Sequence, residues 1–334
     1  MHNPRLFDNI VKGQAMRLSR LCCEDSTFNN ELEELKQEKK YSTLEEEQFR
    51  RLIWEDTWKK VSEHNMLAEQ GEKSYWKETN YFADMTSKEL SSYTCTPMEL
   101  FHKSCSGEPV IQVLPHAKNI DWKKKKCVTP AKNQTSSCHS CWIFSVVAAI
   151  ESRYCIRHKQ LYNLSEQQVM DCGGFKNPCK PHYLEEAIDY IKKAKGLMKK
   201  EDYPYIGHKS PNELCLFYKR KSVQIKNLQC KRITREEDMA TAVEKRGPIT
   251  FAMKIPPDFY QFSGNGIFDD LHCCMYNHSI HAMTIVGFGQ EEGVDYWLIK
   301  NSWGRKWGSA GFAKIRRNVR LCGIGEYVLE LDFQ

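Results

Sequence analysis

Cys141 opens a mostly apolar run, Cys-Trp-Ile-Phe-Ser-Val-Val-Ala-Ala-Ile, and closes the stretch Gln134-Thr-Ser-Ser-Cys138-His139-Ser140-Cys141. Three chemistries compete for these residues. Cys138 and Cys141 have the spacing of a redox pair, but no βαβ pattern surrounds them. With Cys172 and Cys179 they could ligate zinc, but a second ligand pair at tight spacing is absent. The third reading makes Cys141 a nucleophile in the first turn of a helix, where the helix dipole and the terminal N–H groups stabilise a thiolate. A nucleophile of this kind needs a base, and the base needs a group that orients it. His281 opens the strand-like run His-Ala-Met-Thr-Ile-Val, 140 residues after Cys141, and Asn301 follows in Asn-Ser-Trp-Gly, 160 residues after Cys141. The imidazole would take the thiol proton, the Asn301 side chain would hold the other ring nitrogen, and Trp303 would keep water from that contact. His278 lacks the following alanine and the strand register, so it does not compete with His281.

The elements that must position these groups can be read coarsely. Residues from Asn30 to about Leu67 contain no Gly or Pro, and Glu46, Arg50, Trp54, Thr57, Val61 and Asn65 recur at steps of three and four, one face of a helix. Residues 80–86 read as a strand turning into a loop, and 92–118, with Pro97, Pro109 and Pro115, as a linker. Helices are expected from Cys141 and from Leu184. Beyond about Val223 the short apolar runs at 249–253, 282–286 and 296–300 read as strands. Residues 113–334 are therefore a helical half followed by a β half.

Composition narrows the class. A chain of 334 residues with 41% apolar residues has two or three domains and enough core for them. It has no run of the ~18–20 apolar residues that a membrane span needs. Residues 1–112 carry 15 Lys/Arg and 20 Asp/Glu, net −5, and residues 113–334 carry 34 and 23, net +11. Opposite signs imply two parts that attract each other. The basic run Lys123–Lys126 lacks interleaved aromatic residues, and nothing else marks a nucleic-acid site. Fifteen cysteines point to disulfides and an oxidising compartment.

Taken together, these motifs resemble the papain family of cysteine proteases, of the cathepsin L-like type with a proregion. The resemblance runs from about Leu44 to Leu331. It rests on Cys138-His139-Ser140-Cys141-Trp142, on His281 and Asn301, and on two proregion motifs. The face from Glu46 to Asn65 is similar to the first, with Thr57 where Asn is usual. Asn80, Phe82 and Asp84 are similar to the second, with Glu78 where Gly is usual. The resemblance implies an α+β fold: a helical proregion, then a two-domain peptidase with a cleft between a helical and a β-barrel-like half. The implied boundaries are an extension over 1–40, an inhibitory proregion over 41–112 and a peptidase over 113–334, its halves near 127–222 and 223–334. The implied activity is peptide-bond hydrolysis through a thioester, without metal or cofactor. The alternative is a degenerate relative that acts by binding or inhibition. The resemblance gives Cys141 as nucleophile, His281 as base and acid, Asn301 as its orienter, and Gln134 with the Cys141 N–H as oxyanion donors. It also implies disulfides Cys138–Cys179, Cys172–Cys215 and Cys274–Cys322, with Cys273 as the substitute for Cys274. Cys127, Cys155, Cys230 and Cys273 stay unassigned, and Cys155 reads as a buried inert thiol.

Departures from the family cluster where substrate should lie. Seven steps, not six, separate Gln134 from Cys141. His139 replaces a glycine. Cys179-Lys180-Pro181-His182 replaces a wall containing two glycines. Tyr327, a large residue, stands at the base of the main specificity pocket. Tyr183 and Ala282 are ordinary lining residues, and Trp303 completes the substrate-binding set. Expected partners are protein or peptide substrates, the chain's own proregion and inhibitors of the cystatin type. Sequons occur at Asn133, Asn163 and Asn277. Lysosomal or extracellular residence calls for a basic-then-apolar leader, and Met1–Arg5 does not start one, so a truncated or misassigned start is expected.

Overall fold

The computed structural model describes residues 28, 30–33, 39–94, 105, 117–211, 214–274 and 279–334. Cys22, Cys23, Cys95, His278, the Asn277 sequon and most of the expected linker lie outside the described residues, as does the side chain of Cys274. The N-terminal part holds α1 (Leu44–Glu69), β1 (Tyr75–Lys77) and α2 (Ser87–Leu90). A short strand β2 (Ile120–Asp121) precedes the helical half, with α3 (Cys141–His158), α4 (Glu166–Cys172), α5 (Leu184–Ala194) and β3 (Gly196–Leu197). The remainder contains β4 (Val223–Gln224), β5 (Gln229–Arg232), α6 (Glu236–Arg246), β6 (Ile249–Lys254), α7 (Pro257–Tyr260) and β7 (Phe262–Gly266). It ends with β8 (Ile280–Glu291), β9 (Val294–Lys300), β10 (Phe312–Arg316) and β11 (Tyr327–Asp332).

Helix α1 starts where its sequence stops competing with other structures. The Thr43 hydroxyl accepts the Glu46 N–H at 3.1 Å, and Glu45, Glu46 and Glu47 place negative charge at the positive end of the helix. The periodic face braces the chain that follows it. Arg50 makes two 2.6 Å bonds to the Glu89 carboxylate. Trp54 is buried with Phe28, Leu32 and Ala83. The Asn65 amide brackets the Lys77 backbone, accepting its N–H and donating to its carbonyl, both at 2.9 Å. Helix α1 thus holds the segment that follows it in shape.

The first three turns of α3 are buried on every face, as an all-round apolar sequence requires. Val146, Ile150, Leu164, Met170, Ile188 and Ile191 form the helical core with it. The main sheet runs β10-β9-β8-β6-β11-β5, and β2 also pairs with β8. These pairings are antiparallel. Most of β8 is buried, which explains its nearly unbroken apolar sequence. The halves meet where α3 lies on β8: Thr284 Oγ1 donates to the Ser145 carbonyl at 3.0 Å, and Thr250 Oγ1 to Ser145 Oγ at 2.8 Å.

Buried charges also cross this seam. Lys132 Nζ donates to Glu151 at 2.7 Å and Glu166 at 2.6 Å, and Thr129 links Glu151 to Lys300 through two 2.6 Å bonds. Burial pulls the Lys300 ammonium down to about 8, against the pull of Glu151. Burial alone would raise Glu151, but Lys132 and Lys300 hold it below the ordinary carboxylate value. Removing one member would strand a charge in a low dielectric, so breaking the network costs more than its presence adds.

Five disulfides join described residues. Cys138–Cys179 and Cys172–Cys215 staple the helical half. Cys322 pairs with Cys273, not with the expected Cys274. Neighbouring residues on the 3-10 turn Leu271–Cys274 point about a third of a turn apart, so only one can face Cys322; Cys273, fully buried in the β core beside it, does so. Cys155 is not an inert thiol. It bonds to Cys127 and ties the end of the lysine run to α3. Cys230, left unassigned by the sequence, bonds to Cys105.

Candidate active site

Cys141 is the first residue of α3, is buried, and stands outside these disulfides. Its N–H belongs to the helix's first turn and is directed out of the N-terminus. One turn further along α3 is Ser145, and three residues beyond His281 in β8 is Thr284, the pair that joins helix to sheet. That contact brings the start of α3 and the start of β8 to the same end of the seam. Ala282, Tyr327, Cys141 and Trp142 share one buried cluster there.

His281 is fully buried, and its Nε2 lies 2.8 Å from Asn301 Oδ1. The amide oxygen can only accept, so Nε2 carries the proton and Nδ1 is left as the basic nitrogen. Nδ1 makes no hydrogen bond among the described residues. The imidazole stacks on Trp303, with ring centroids 4.8 Å apart and planes 25° apart. Trp303 is itself stacked on Tyr260 at 5.0 Å and touches Phe82, Phe259 and Trp307. Asn301 is held by its backbone, whose N–H donates to the Gly311 carbonyl at 3.0 Å.

Gln134 is placed from both sides despite the longer segment between it and Cys141. Its N–H donates to the Ser302 carbonyl at 2.8 Å, and its carbonyl accepts the Tyr205 hydroxyl at 2.8 Å. Ser302 Oγ donates to Gln134 Oε1 at 2.7 Å, which turns Nε2 toward the cleft. The extra residue is absorbed at Thr135, whose φ of 63° is left-handed, and by Ser137, whose hydroxyl donates to the Gly207 carbonyl at 2.9 Å. A side chain at Gly207 would meet Ser137 Oγ at 2.8 Å, so the glycine makes room for the longer loop.

The prosegment lies across this centre. Gln134 Nε2 donates to the Tyr93 carbonyl at 3.1 Å, and Trp303 Nε1 donates to the same oxygen at 3.0 Å. His139 Nδ1 bonds to the next carbonyl, that of Thr94. Further back, β1 pairs antiparallel with β7, Asn80 Nδ2 donates to the Tyr260 carbonyl at 2.8 Å, and Phe82 packs edge-on against Tyr93, Tyr260 and Trp303. The Glu78 N–H donates to the Gln261 carbonyl at 2.8 Å. One ion pair crosses the contact among the described residues. The ion pair Lys77–Asp258, at 2.5 Å, sets a prosegment cation against a peptidase anion, opposite to the overall charges.

The wall residues divide. His139 reaches the prosegment. The His182 ring packs on Trp142 and Phe175, Nδ1 lies 3.1 Å from Glu186, and Nε2 lies 3.0 Å from the Asn177 carbonyl. Pro181 is half-buried beside it, and Tyr183 caps α5 with its N–H on Glu186 Oε2 at 2.9 Å. Tyr327 is buried, accepts the Leu184 N–H at 3.0 Å and bonds to the Glu185 carboxylate; burial and that carboxylate push its hydroxyl well above the ordinary tyrosine value. Ser302, Tyr205, Glu185, Tyr93 and Thr94 were not found from the sequence. Ser302 carried a signal, lying inside Asn-Ser-Trp; the others act through backbone carbonyls or a distant partner and carried none.

A buried cysteine at a helix start, an oriented histidine and an amide donor covered by a preceding segment define a thiol peptidase in zymogen form. Comparison with known proteins agrees. Residues 116–330 match the papain family cysteine protease profile, and residues 35–90 match the cathepsin propeptide inhibitor domain. The chain is 33% identical over 293 residues to digestive cysteine proteinase 3 of Homarus americanus, covering 86% of this chain and 88% of that one. It is 32% identical over 302 residues to pro-cathepsin H of Mus musculus, covering 87% and 86%. Among solved structures it resembles procathepsin L2 of the Tenebrio molitor larval midgut, with 30% identity, a TM-score of 0.82, and coverage of 92% of this chain and 99% of that one. This chain belongs to the papain family of cysteine proteases and carries that family's inhibitory propeptide.

Proposed function

We propose that Cys141 is the nucleophile of a cysteine endopeptidase. His281 Nδ1 takes the thiol proton, and the thiolate attacks the scissile carbonyl. The resulting oxyanion is held by Gln134 Nε2 and the Cys141 N–H. The imidazolium then protonates the leaving amine as the carbon–nitrogen bond breaks, which leaves a thioester. Water, deprotonated by His281, hydrolyses the thioester and restores the thiol. Asn301 keeps the ring in the required tautomer, and Trp303 shields that bond from water. The observation that carries this reading is the Tyr93 carbonyl on Gln134 Nε2. The prosegment presents a peptide carbonyl to the same donor that a substrate would use.

The remaining assignments rest on the same reading. Residues 1–40 are an extension, 41–112 the inhibitory proregion and 113–334 the peptidase, with halves at 127–222 and 223–334. His139, Pro181, His182, Tyr183, Ala282, Trp303 and Tyr327 line the substrate cleft, with Tyr327 and its Glu185 partner at the base of the main pocket. Substrates are proteins or peptides, and cystatin-type inhibitors would compete for the same cleft. The disulfides favour a lysosomal or extracellular setting. No helix of the described residues is long and apolar enough to cross a membrane. The test is labelling of the processed protein with an epoxide thiol inhibitor, followed by peptide mapping. A single adduct on Cys141 is expected; an adduct elsewhere, or none, overturns the assignment.

A further inference from the structure

We propose that the prosegment is fastened to the peptidase through Cys105–Cys230, so that cutting the chain between these residues does not release it. Release then requires a low-molecular-mass thiol as well as a protease. The inference rests on the zymogen reading above. Cys105 follows Thr94, the last prosegment residue seen at the cleft, and precedes residue 116, where the peptidase match begins. Cys230 is in β5, opposite Leu331 of β11, and so is built into the main sheet. The bond joins positions 125 residues apart, with Cα atoms at 5.1 Å. It is the disulfide among the described residues that ties the segment before the peptidase to the peptidase; the other four lie within residues 127–322.

The consequence is one of effective concentration. A cut between 105 and 116 leaves two attachments for the prosegment: the contact surface from β1 to Tyr93, and the sulfur bridge. A segment tethered by a short chain faces its site at roughly millimolar effective concentration, so dilution does not remove it. Cys105 and Cys230 are both half-buried, whereas Cys273 and Cys322 of another bridge are fully buried, so a small thiol can reach the tether. The thiolate attacks one sulfur to form a mixed disulfide. A second thiol attacks that, and two thiols leave as one small disulfide while Cys105 and Cys230 each gain a proton. Two electrons pass from the small thiols to the cystine, and no other reactant is required.

The test uses the full chain with residues 108–114 replaced by the recognition sequence of a site-specific serine protease, so the cut does not depend on the chain's own activity. After cutting without reductant, the fragments are expected to stay joined in urea and to separate when a small thiol is added. The same cut in a Cys105→Ser chain should separate in urea without thiol. Under native, reductant-free conditions, epoxide labelling of Cys141 should be at least about tenfold faster in the cut Cys105→Ser chain than in the cut chain that keeps the tether. That comparison also controls for the oxidation state of Cys141. Fragments that part without thiol, a mass map that joins Cys105 to another cysteine, or equal labelling rates would each overturn the proposal. Because joining and separation are read by mass, a protein that showed no turnover would refute the peptidase reading and leave this one standing or falling by itself.

Discussion

The two sides of the cleft are built differently. On the catalytic side, each group is held by bonds from distant chain segments. Gln134 is fixed by Ser302 and Tyr205, His281 by Asn301 and Trp303, and Asn301 by Gly311. In the segment between Gln134 and Cys141, Thr135 is left-handed and Ser137 bonds to the Gly207 carbonyl. On the wall side the residues differ: Tyr327 bonds to Glu185 and His139 to the Thr94 carbonyl, whereas His182 is held locally, by Glu186 on the next helical turn and by Asn177 five residues back. A substitution at His182 therefore disturbs its own neighbours, whereas one at His139 acts on what lies in the cleft. Losing one partner of a group held from several segments should therefore cost less than losing the group itself.

The largest effect that bears on this contrast is at the nucleophile. Cys141→Ser should lower turnover of the processed protein by more than about 10⁴-fold, since a hydroxyl beside this base is a far weaker nucleophile. Its melting temperature should stay within a few degrees of the parent. Retained turnover would remove Cys141 from its role. Next is the oxyanion donor. Gln134→Ala should cost about 10²-fold in kcat with little change in KM. Ser302→Ala, which loses only the bond that turns the amide, should cost roughly fivefold. If Ser302→Ala matched Gln134→Ala, the backbone bonds to Gln134 would not be sufficient to place it.

On the wall, His139 and His182 should part company. His139→Gly should raise kcat/KM several-fold on dipeptidyl-arginine reporters, mainly through KM, and weaken prosegment inhibition by about fivefold with the loss of the Thr94 bond. His182→Gly should instead lower the melting temperature by about 3–6 °C, as the contacts with Trp142, Phe175, Glu186 and Asn177 are lost. Improved kinetics from His182→Gly alone would show that its ring does obstruct the cleft.

Much of this was legible from the sequence because periodicity and spacing report local structure. The α1 face, the helix at Cys141 and the strands at 249, 282 and 296 follow from short-range pattern. Cys141, His281 and Asn301 stood out because chemistry restricts residue type, and Gln134 through the family resemblance. What was not legible depends on long-range geometry. Nothing in Cys273-Cys274 says which sulfur turns inward, and nothing near Cys230 points to Cys105. Net charge did not give the sign of the Lys77–Asp258 pair, because a sum over hundreds of residues does not determine one contact. Tyr93 acts through its carbonyl, which every residue has.

The smallest predicted effect sharpens the electrostatic side of the same contrast. Burial raises the Glu78 carboxyl to about 7, with the Asn80 hydrogen bond pulling the other way. In a released prosegment the group returns to its ordinary value near 4.5. The docked form thus favours the neutral acid. Glu78 costs docking nothing below 4.5, and its cost grows as pH rises toward 7 and then levels off. Acid therefore tightens this one contact. Arg50 works in the other direction within the prosegment: its bonds hold Glu89 down to about 2, so that ion pair survives at pH 4–5 and is lost only as pH falls further. Any acceleration of processing by acid must then come from groups other than Glu78. Glu78→Gln removes the opposing group. Because the site is partly solvated, the effect should be well below the full shift: about three- to tenfold slower autoprocessing at pH 7.5, equal rates at pH 4.5, and so a steeper acceleration on acidification. Processing rates of the full chain across that range decide it. A Glu78→Gln profile that is parallel to or shallower than the parent's would mean that the Glu78 carboxyl is solvated in the zymogen and takes no part in the pH response.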